Sequence, residues 1–418
     1  MIHYPGEVLF LKRIEILLVG IGGYGNVYVD ALTNNQKINN TSFCIAGYVD
    51  PFPEKCNNLA LLIKSGVSRY ESIDEYFQKG NVADLAVITT PIHYHYPMTC
   101  SALEYGCSAV LCAKPVAGSI QEAYQMIKTR DQCHGIVSIG YQWSFSPVIQ
   151  ALKMDILEGL FGKAIRLKTI ALWPRNKEYY ERSWAGKCKS EYGDWILDSV
   201  ANNATAHYIH NMLFVLGETM NKSAVPVMIR AELYKINNID CYDTAAFKII
   251  TSQGVELFYY GSHAVKENYG PIFSYEFEKG TVEYRHNGLI TASFRNGTTI
   301  VYGSPDNADM NDLSHTIDCI RSKKQPICGI ETAMSHTVCV NGAHESACGI
   351  YTFPESIKRY DYSRKLAWVE GLKEIMLHCY TNTLMPTDAG YSWAYPGRDI
   401  NLKDYTHFPM GDFVASSK

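Results

Sequence analysis

Residues 19–25 read VGIGGYG and connect the apolar run Ile14–Val19 to a helix-like segment. Three of the glycines have the spacing G-x-G-x-x-G, which is typical of a dinucleotide-binding loop. Such a loop needs a tight turn, a backbone without Cβ where a pyrophosphate approaches, and a close helix-to-strand contact, with the phosphate at the positive end of the helix. The strand, turn and helix context meets these needs. The predicted cofactor-binding residues here are Gly20, Gly22, Gly23, Tyr24 and Gly25.

An aspartate ends the second predicted strand, in Tyr48-Val49-Asp50. A carboxylate at this position can accept hydrogen bonds from the ribose diol of an adenosine, which favours NAD. NADP stays possible, although its 2′-phosphate would need a nearby base and the nearest one downstream is Lys55. The alternative to a cofactor site is a glycine-rich turn followed by a surface aspartate.

The hydrophobic pattern divides the chain into three parts. Short apolar runs alternate with helix-like segments up to residue 145, which predicts a Rossmann-type parallel sheet with helices on both faces. Short runs then pair around glycine turns such as Asn296-Gly297, which predicts an α+β domain at 146–385 on a large, mainly antiparallel open sheet flanked by helices. Residues 386–418 read as an extended tail. The predicted strands of the first part are Ile14–Val19, Phe43–Val49, Leu85–Thr89, Ala109–Cys112 and Ile136–Ile139, and the predicted late helices are Asn311–Arg321, Thr332–Ile350 and Arg364–Tyr380.

Composition excludes several classes of protein. The 418 residues include 38 Lys plus Arg against 42 Asp plus Glu and are 47% hydrophobic, so we expect a folded protein without a nucleic-acid partner. The first apolar stretch, Val8–Ile21, is interrupted by charges, so we expect neither a secretory signal nor a membrane span, and a cytoplasmic location. Thirteen scattered cysteines without a Cys-x-x-Cys pair indicate reduced thiols and no metal centre.

A lysine follows the predicted strand Ala109–Cys112, in Ala113-Lys114-Pro115. Parallel sheets bind their ligands at the carboxyl ends of the strands. A partly desolvated lysine there, near a cationic nicotinamide, has a lowered pKa and can exchange a proton with a substrate hydroxyl. A surface lysine before a helix-starting proline fits the residues equally well.

The segment from Thr89 to Ala117, with Thr90-Pro91, His95 and Lys114-Pro115, resembles the Gfo/Idh/MocA family, named after glucose-fructose oxidoreductase, inositol dehydrogenase and rhizopine catabolism. The resemblance extends over most of the chain. It implies an N-terminal dinucleotide-binding domain and oxidation or reduction of a sugar, sugar derivative or cyclic polyol. It also implies a homo-oligomer, dimer or tetramer, formed through the outer face of the C-terminal sheet, where we expect residues such as Tyr259 or Tyr284.

In that family, the lysine of a Glu-Lys-Pro motif and an Asp-x-x-x-His pair handle protons. The resemblance therefore gives Lys114 and His207 as the proton-handling residues, but Ala113 replaces the glutamate and Asn203 the aspartate. An amide can hold a hydroxyl group but cannot take its proton. Asn203 is therefore expected to orient the substrate. The resemblance also implies that Thr90, Pro91 and His95 lie beside the nicotinamide, with His95 binding cofactor or shaping the loop.

Two further groups of residues are candidates for the site. His210 lies one helical turn after His207, so the pair could ligate a metal, but no third ligand is identifiable and a hydrogen-bonded helix histidine is favoured over a metal site or a substrate contact. The loop Trp173–Trp184 is rich in aromatic residues and arginines. Its Tyr180 and Trp184 are candidate substrate residues because flat rings suit sugar faces, although a lid or an oligomer contact uses the same residue types.

Three functions fit these patterns. The first is an NAD(P)-dependent oxidoreductase acting on CH-OH groups. The second is an NAD-dependent glycoside hydrolase that works by transient oxidation and elimination, with no net consumption of cofactor. The third is a nucleotide-sensing regulator without catalysis, which the replacements at Ala113 and Asn203 would permit.

Overall fold

The computed structural model describes residues 13–34, 43–285, 288–307 and 310–410. Its first sheet has six parallel strands in the order β3-β2-β1-β4-β5-β6. The five predicted strands are confirmed, and β3 was missed because two residues show no pattern. The strands are β1 (Ile14–Val19), β2 (Phe43–Val49), β3 (Arg69–Tyr70), β4 (Leu85–Ile88), β5 (Ala109–Cys112) and β6 (Ile136–Ile139).

Helices cover both faces of this sheet, as the unbroken apolar character of its strands requires. Every residue of β4, β5 and β6 is buried. The strand order reverses between β1 and β4, and ligands of such sheets bind at this point, beyond the carboxyl ends of the strands. The helices of this part are α1 (Gly25–Asn34), α2 (Leu59–Lys64), α3 (Ile73–Gln78), α4 (His95–Glu104) and α5 (Ile120–Gln132).

The second sheet has ten strands in the order β14-β13-β12-β11-β7-β10-β9-β8-β15, and β18 also pairs with β8. Its pairs are antiparallel except β7 with β10 and β8 with β15. This mainly antiparallel sheet confirms the predicted fold class. Its strands are β7 (Ala164–Leu172), β8 (Pro226–Lys235), β9 (Thr244–Thr251), β10 (Glu256–Ser262), β11 (Tyr269–Phe277), β12 (Gly280–Arg285), β13 (Ile290–Phe294), β14 (Thr299–Gly303), β15 (Tyr351–Thr352) and β18 (Ile400–Asn401).

Five further helices follow the first five along the chain, and one of them joins the two sheets. Helix α9 packs on both β8 of the second sheet and α5 of the first domain, whereas α8 packs on β5 and β6 of the first sheet. The two predicted helices in this region are confirmed to within a few residues. The five are α6 (Pro147–Leu157), α7 (Ala206–Val215), α8 (Asn311–Ser322), α9 (Ile330–Ser346) and α10 (Leu372–Asn382).

The predicted helix Arg364–Tyr380 is wrong over its first half. The chain there forms a hairpin of β16 (Lys358–Asp361) and β17 (Leu366–Val369), and α10 begins only after Gly371. Lys365 at the hairpin turn has a φ of 49°, and Gly371 has a φ of 72°. Both values interrupt a right-handed helix, so the apolar spacing that extends across them was misleading.

The tyrosines expected on the outer face of the second sheet lie on its inner face. Tyr259 and Tyr284 are 0% and 1% exposed, and the Tyr259 hydroxyl bonds the Thr205 hydroxyl at 2.6 Å. That expectation was therefore wrong. The outer face is partly covered by α10, whose Met376 and Cys379 pack in one buried cluster with Tyr260. Association through this sheet remains a prediction.

The tail contains β18 and ends against the first sheet's helix α5, in the described part up to residue 410. The backbone N–H and C=O of Phe408 bond the side chain of Gln121, at 3.0 and 2.7 Å. Residues 411–418 of the predicted tail and the first part of the Val8–Ile21 stretch lie outside the described residues. No helix within the described ranges is long and apolar enough to cross a membrane.

If α10 covers the outer face of the sheet, shortening the side chain of Met376, which α10 buries, must destabilise the fold. We expect Met376→Ala to lower the free energy of unfolding by about 2–5 kcal/mol, because Met376 is fully buried. Glu374→Ala, on the exposed side of the same helix, is the control and should change it by less than about 0.5 kcal/mol. Urea denaturation measures both, and equal effects would place α10 elsewhere.

Candidate functional site

The glycine loop between β1 and α1 is packed too tightly for side chains. Gly20 has a φ of 83°, and a Cβ on Gly25 would lie 2.4 Å from the carbonyl oxygen of Gly20. Gly25 is therefore required, because the start of α1 approaches the turn too closely for a Cβ. Gly23, with a φ of 56°, has nothing within 4 Å of the place where its Cβ would lie, and Tyr24 beside it is 40% exposed.

Asp50 is fixed against this loop at the end of β2. Its carboxylate accepts hydrogen bonds from the backbone N–H groups of Ile21 and Gly22, at 2.8 and 3.3 Å, and from that of Phe52 at 2.7 Å. The neighbouring strand brings Arg69 to the carbonyl oxygen of Asp50, at 3.1 Å. The sequence did not reveal this base, because β3 becomes a neighbour of β2 only in the folded sheet.

The residues of this edge fit a nicotinamide dinucleotide. The open space at Gly23 lies where α1 begins, so a pyrophosphate there would meet the positive helix end. At the end of β4, the Thr90 hydroxyl and His93 Nδ1 are buried without a hydrogen-bond partner among the described residues. Buried polar atoms of this kind are costly unless a ligand satisfies them.

His95 joins the two loops that follow β4 and β5. Its side chain is buried, with Nδ1 2.7 Å from the carbonyl oxygen of Pro115 and Nε2 2.9 Å from that of Thr90. Burial lowers the pKa of His95 to about 4, so the ring is neutral and donates to only one of these two oxygens. His95 therefore lies between the loops that carry Thr90 and Lys114.

Lys114 is connected through an amide to a buried carboxylate. Its Nζ donates to the side-chain oxygen of Asn203 at 2.8 Å and to the backbone oxygen of Asn203 at 2.6 Å. The Asn203 amide nitrogen donates to Asp198 at 2.8 Å, and the other oxygen of Asp198 accepts the N–H of Gly186 at 2.6 Å. We call Lys114, Asn203 and Asp198 the lysine–amide–aspartate chain.

Burial determines the ionisation of the lysine–amide–aspartate chain. It lowers the pKa of Lys114 to about 8, because desolvation disfavours the ammonium form, while Asp198 opposes the shift. Burial also raises the pKa of Asp198, against the stabilising N–H donors of Gly186 and Asn203. Sequence reasoning missed Asp198 because it looked for an acid four residues before His207. The available signal was one carboxylate directly after the apolar run Trp195–Leu197.

An irregular turn presents Asn203 to Lys114. Residues Val200–Ala204 form a single π-helical turn, and α7 begins at Ala206, so Asn203 and His207 do not lie on one regular helix. Ser199 caps the turn by accepting the N–H of Asn202, and Thr205 closes it by donating to the carbonyl oxygen of Val200. Turns of this type are frequent at functional sites.

His207 and His210, which the sequence pairs on one helix, have different surroundings. His207 lies near Lys114, and burial lowers its pKa to about 3, so the ring is neutral. It makes no hydrogen bond within the described part of the chain, and its ring stands edge-on to Tyr141 at 5.8 Å. His210 stacks on Tyr141 at 3.8 Å and bonds the Ser144 hydroxyl at 2.9 Å in the interior. We therefore assign His210 a structural role.

The structure forms no group of three or more His, Cys, Asp or Glu side chains that could hold a metal ion, within the described ranges. The aromatic loop lines two clefts instead, of about 590 and 300 Å³, and Tyr180 borders both. The hydroxyl of Tyr180 is buried without a partner among the described residues. Trp184 does not border either cleft, but its ring holds the guanidinium of Arg182 at 4.5 Å.

A sequence profile described as "Oxidoreductase family, NAD-binding Rossmann fold" matches residues 14–141. This is the profile of the Gfo/Idh/MocA family, and its match is limited to the first domain. The match confirms the predicted resemblance and the assignment of NAD as cofactor. The rhizopine catabolism protein MocA of Rhizobium meliloti is 29% identical over 152 residues, which are 36% of this chain and 45% of that protein, so the chain matches less than half of its length.

Solved structures of similar fold extend the likeness to both domains. The WlbA dehydrogenase of Bordetella pertussis, in complex with NADH and UDP-GlcNAcA, aligns with a TM-score of 0.64 at 19% identity over 80% of this chain and 97% of that one. The aldose-aldose oxidoreductase of Caulobacter crescentus, complexed with glycerol, aligns with a TM-score of 0.64 at 18% identity over 80% and 98%. These likenesses show that the parallel sheet and the second sheet together form a known two-domain fold.

A methyl group at Gly25 should disrupt the cofactor loop of the NAD-binding domain. Because the new Cβ would meet backbone at 2.4 Å, we expect Gly25→Ala to weaken NAD binding by at least roughly tenfold. Gly349→Ala, whose Cβ would meet only a ring carbon at 3.9 Å, is the control. Titration of intrinsic fluorescence with NADH measures both. Unchanged affinity in Gly25→Ala would show that the dinucleotide does not use this loop.

Proposed function

We propose that the protein is an NAD-dependent oxidoreductase that transfers a hydride between the nicotinamide and a hydroxyl-bearing carbon of a sugar, sugar derivative or cyclic polyol. The observation that carries this proposal is Lys114, an amine with a lowered pKa at the carboxyl end of a strand of the NAD-binding sheet. The dehydrogenase and aldose oxidoreductase that share the fold support the substrate class.

Bound NAD would supply the hydride acceptor, and residues of this chain would manage the proton and the substrate. Neutral Lys114 takes the hydroxyl proton as the carbonyl forms, and its ammonium form returns that proton in the reverse direction. Asn203 holds the amine at one angle, because two of its oxygens accept from Nζ. Neutral His207 offers one ring nitrogen as donor and the other as acceptor to a substrate hydroxyl.

Removing the amine tests the role of Lys114. We expect Lys114→Ala to lower turnover by at least roughly 10²-fold, because it removes the general base, while NAD affinity stays within about twofold. Lys128→Ala, on the exposed side of α5, is the control. Nicotinamide absorbance with a panel of hexoses, sugar acids and inositols measures turnover. Activity like that of the wild type in Lys114→Ala contradicts the proposed mechanism.

We expect Asp198 to affect the pKa of Lys114. In the oxidative direction kcat/KM rises as pH passes the pKa of Lys114, about 8, because only the neutral amine accepts a proton. Asp198 raises that pKa, so Asp198→Asn should move the rise to lower pH. A purely structural aspartate would lower the melting temperature and leave the inflection in place. The pH profile therefore separates the two roles.

The same assay separates this proposal from the glycoside hydrolase. An oxidoreductase reduces one NAD for each substrate molecule, whereas a hydrolase releases an aryl group from an aryl glycoside with only catalytic NAD. We expect stoichiometric reduction with at least one sugar class. Aryl release without net reduction would instead favour the hydrolase, and NAD binding without either reaction would favour a regulator.

A further inference from the structure

The loop beside the site holds two guanidinium groups against one ring. The Cζ atom of Arg182 lies 4.1 Å from the ring centre of Tyr179, and that of Arg175 lies 5.0 Å from it. Arg182 is also held by Trp184, and Arg175 lies 6.0 Å from the ring of Trp173. These stacking contacts fix the two groups as neighbours with the same charge.

Neither guanidinium forms an ion pair with a carboxylate in the described part of the chain. Arg175 is partly buried and Arg182 is exposed. Two other partly buried arginines do form ion pairs, Arg130 with Glu331 and Arg166 with Glu256. The backbone oxygens of Pro174 and Tyr179 accept from Arg175 at 3.3 Å and from Arg182 at 3.1 Å, and Arg182 also bonds the side chain of Tyr179. In the described part of the chain, the charge of neither guanidinium is therefore balanced by a paired carboxylate.

Two buried donors beside this pair also lack partners among the described residues. They are Nε of Arg175 and the hydroxyl of Tyr180. A buried donor without an acceptor costs free energy, and a ligand that supplies an acceptor recovers it. Nε of Arg175 can only donate and the Tyr180 hydroxyl can donate, so an acceptor would satisfy both.

The charges around the site also favour an anionic ligand. Arg182 lies near enough to Lys114 and Asp198 to affect the ionisation of both. Asp198 carries at most one negative charge, so it cannot neutralise Lys114 and both arginines. The larger cleft also carries four basic residues, of which three are paired: Lys358 with Glu355, Lys365 with Glu178 and Arg359 with Glu370. The fourth is Lys177.

We infer that the substrate is an acidic sugar, of the hexuronic acid class, whose carboxylate binds Arg175 and Arg182 while a ring hydroxyl faces Lys114. This inference rests on the proposed function. A planar carboxylate matches the fork of a guanidinium, and a hydrogen bond between two charged groups is stronger than one between neutral groups. The Tyr180 hydroxyl donates to the same carboxylate.

The test compares matched acidic and neutral sugars on the NADH-bound protein. The probes are D-glucuronate, D-galacturonate and D-mannuronate against D-glucose, D-galactose and D-mannose, with binding measured by calorimetry. We expect at least one uronate to bind roughly tenfold or more tightly than its neutral partner. Arg182→Gln and Arg175→Gln should each remove most of that preference, and Arg182→Lys should retain part of it. Arg359→Gln, in the neighbouring cleft, is the matched control and should retain all of it.

Three results would overturn the inference: equal or tighter binding of neutral sugars, a preference for acids that survives both glutamine variants, or no binding of any uronate. NADH affinity, measured in each variant, reports that the fold is intact. Failure of the proposed function looks different, because it would appear as absence of Lys114-dependent hydride transfer with every sugar. Lys114-dependent oxidation of neutral sugars alone contradicts only the acidic substrate.

Discussion

One partly buried amine and one buried carboxylate, connected by an amide, determine how this molecule is arranged. Lys114 follows a strand of the parallel sheet, whereas Asn203 and Asp198 lie in the segment leading into α7. The lysine–amide–aspartate chain therefore joins the two domains at the site. A charge taken out of water must be compensated, and the amide transmits the compensation without placing the two charges in direct contact. An amide at position 203 therefore suits this position better than an aspartate would. A carboxylate there would face Asp198 across the 2.8 Å now occupied by an N–H donor.

The remaining titratable groups near the chain follow from the same burial. His95, His207 and His336 all have pKa values lowered by desolvation, to about 4, 3 and 4, and so they add no positive charge to the site at neutral pH. Lys114 is the group whose pKa falls close to the working range. This difference explains why the lysine handles the proton in the proposed mechanism and a neutral histidine provides hydrogen bonds.

Local sequence patterns predicted the parts of the fold that depend on interactions between residues close in the chain. The apolar strands and the glycine loop were predictable because burial on both faces and a tight turn each restrict residue types directly. The contacts of Asp198 and Arg69 were not, because each is made by segments that meet only in the folded chain. The face on which Tyr259 lies depends on which helices cover the sheet, and the strand pattern is the same for either face. The hairpin at Leu366–Val369 was missed because its apolar spacing also fits a helix.

The most direct measurement is a titration of the Lys114 side chain itself, by heteronuclear NMR of protein with isotope-labelled lysine, assigned by comparison with Lys114→Arg. Burial next to Asn203 and Asp198 predicts an inflection near pH 8, well below those of the exposed lysines. An inflection at the ordinary lysine value of 10.5 would show that the amine is solvated and fully charged at neutral pH, and the proposed role of Lys114 as a base would then be wrong.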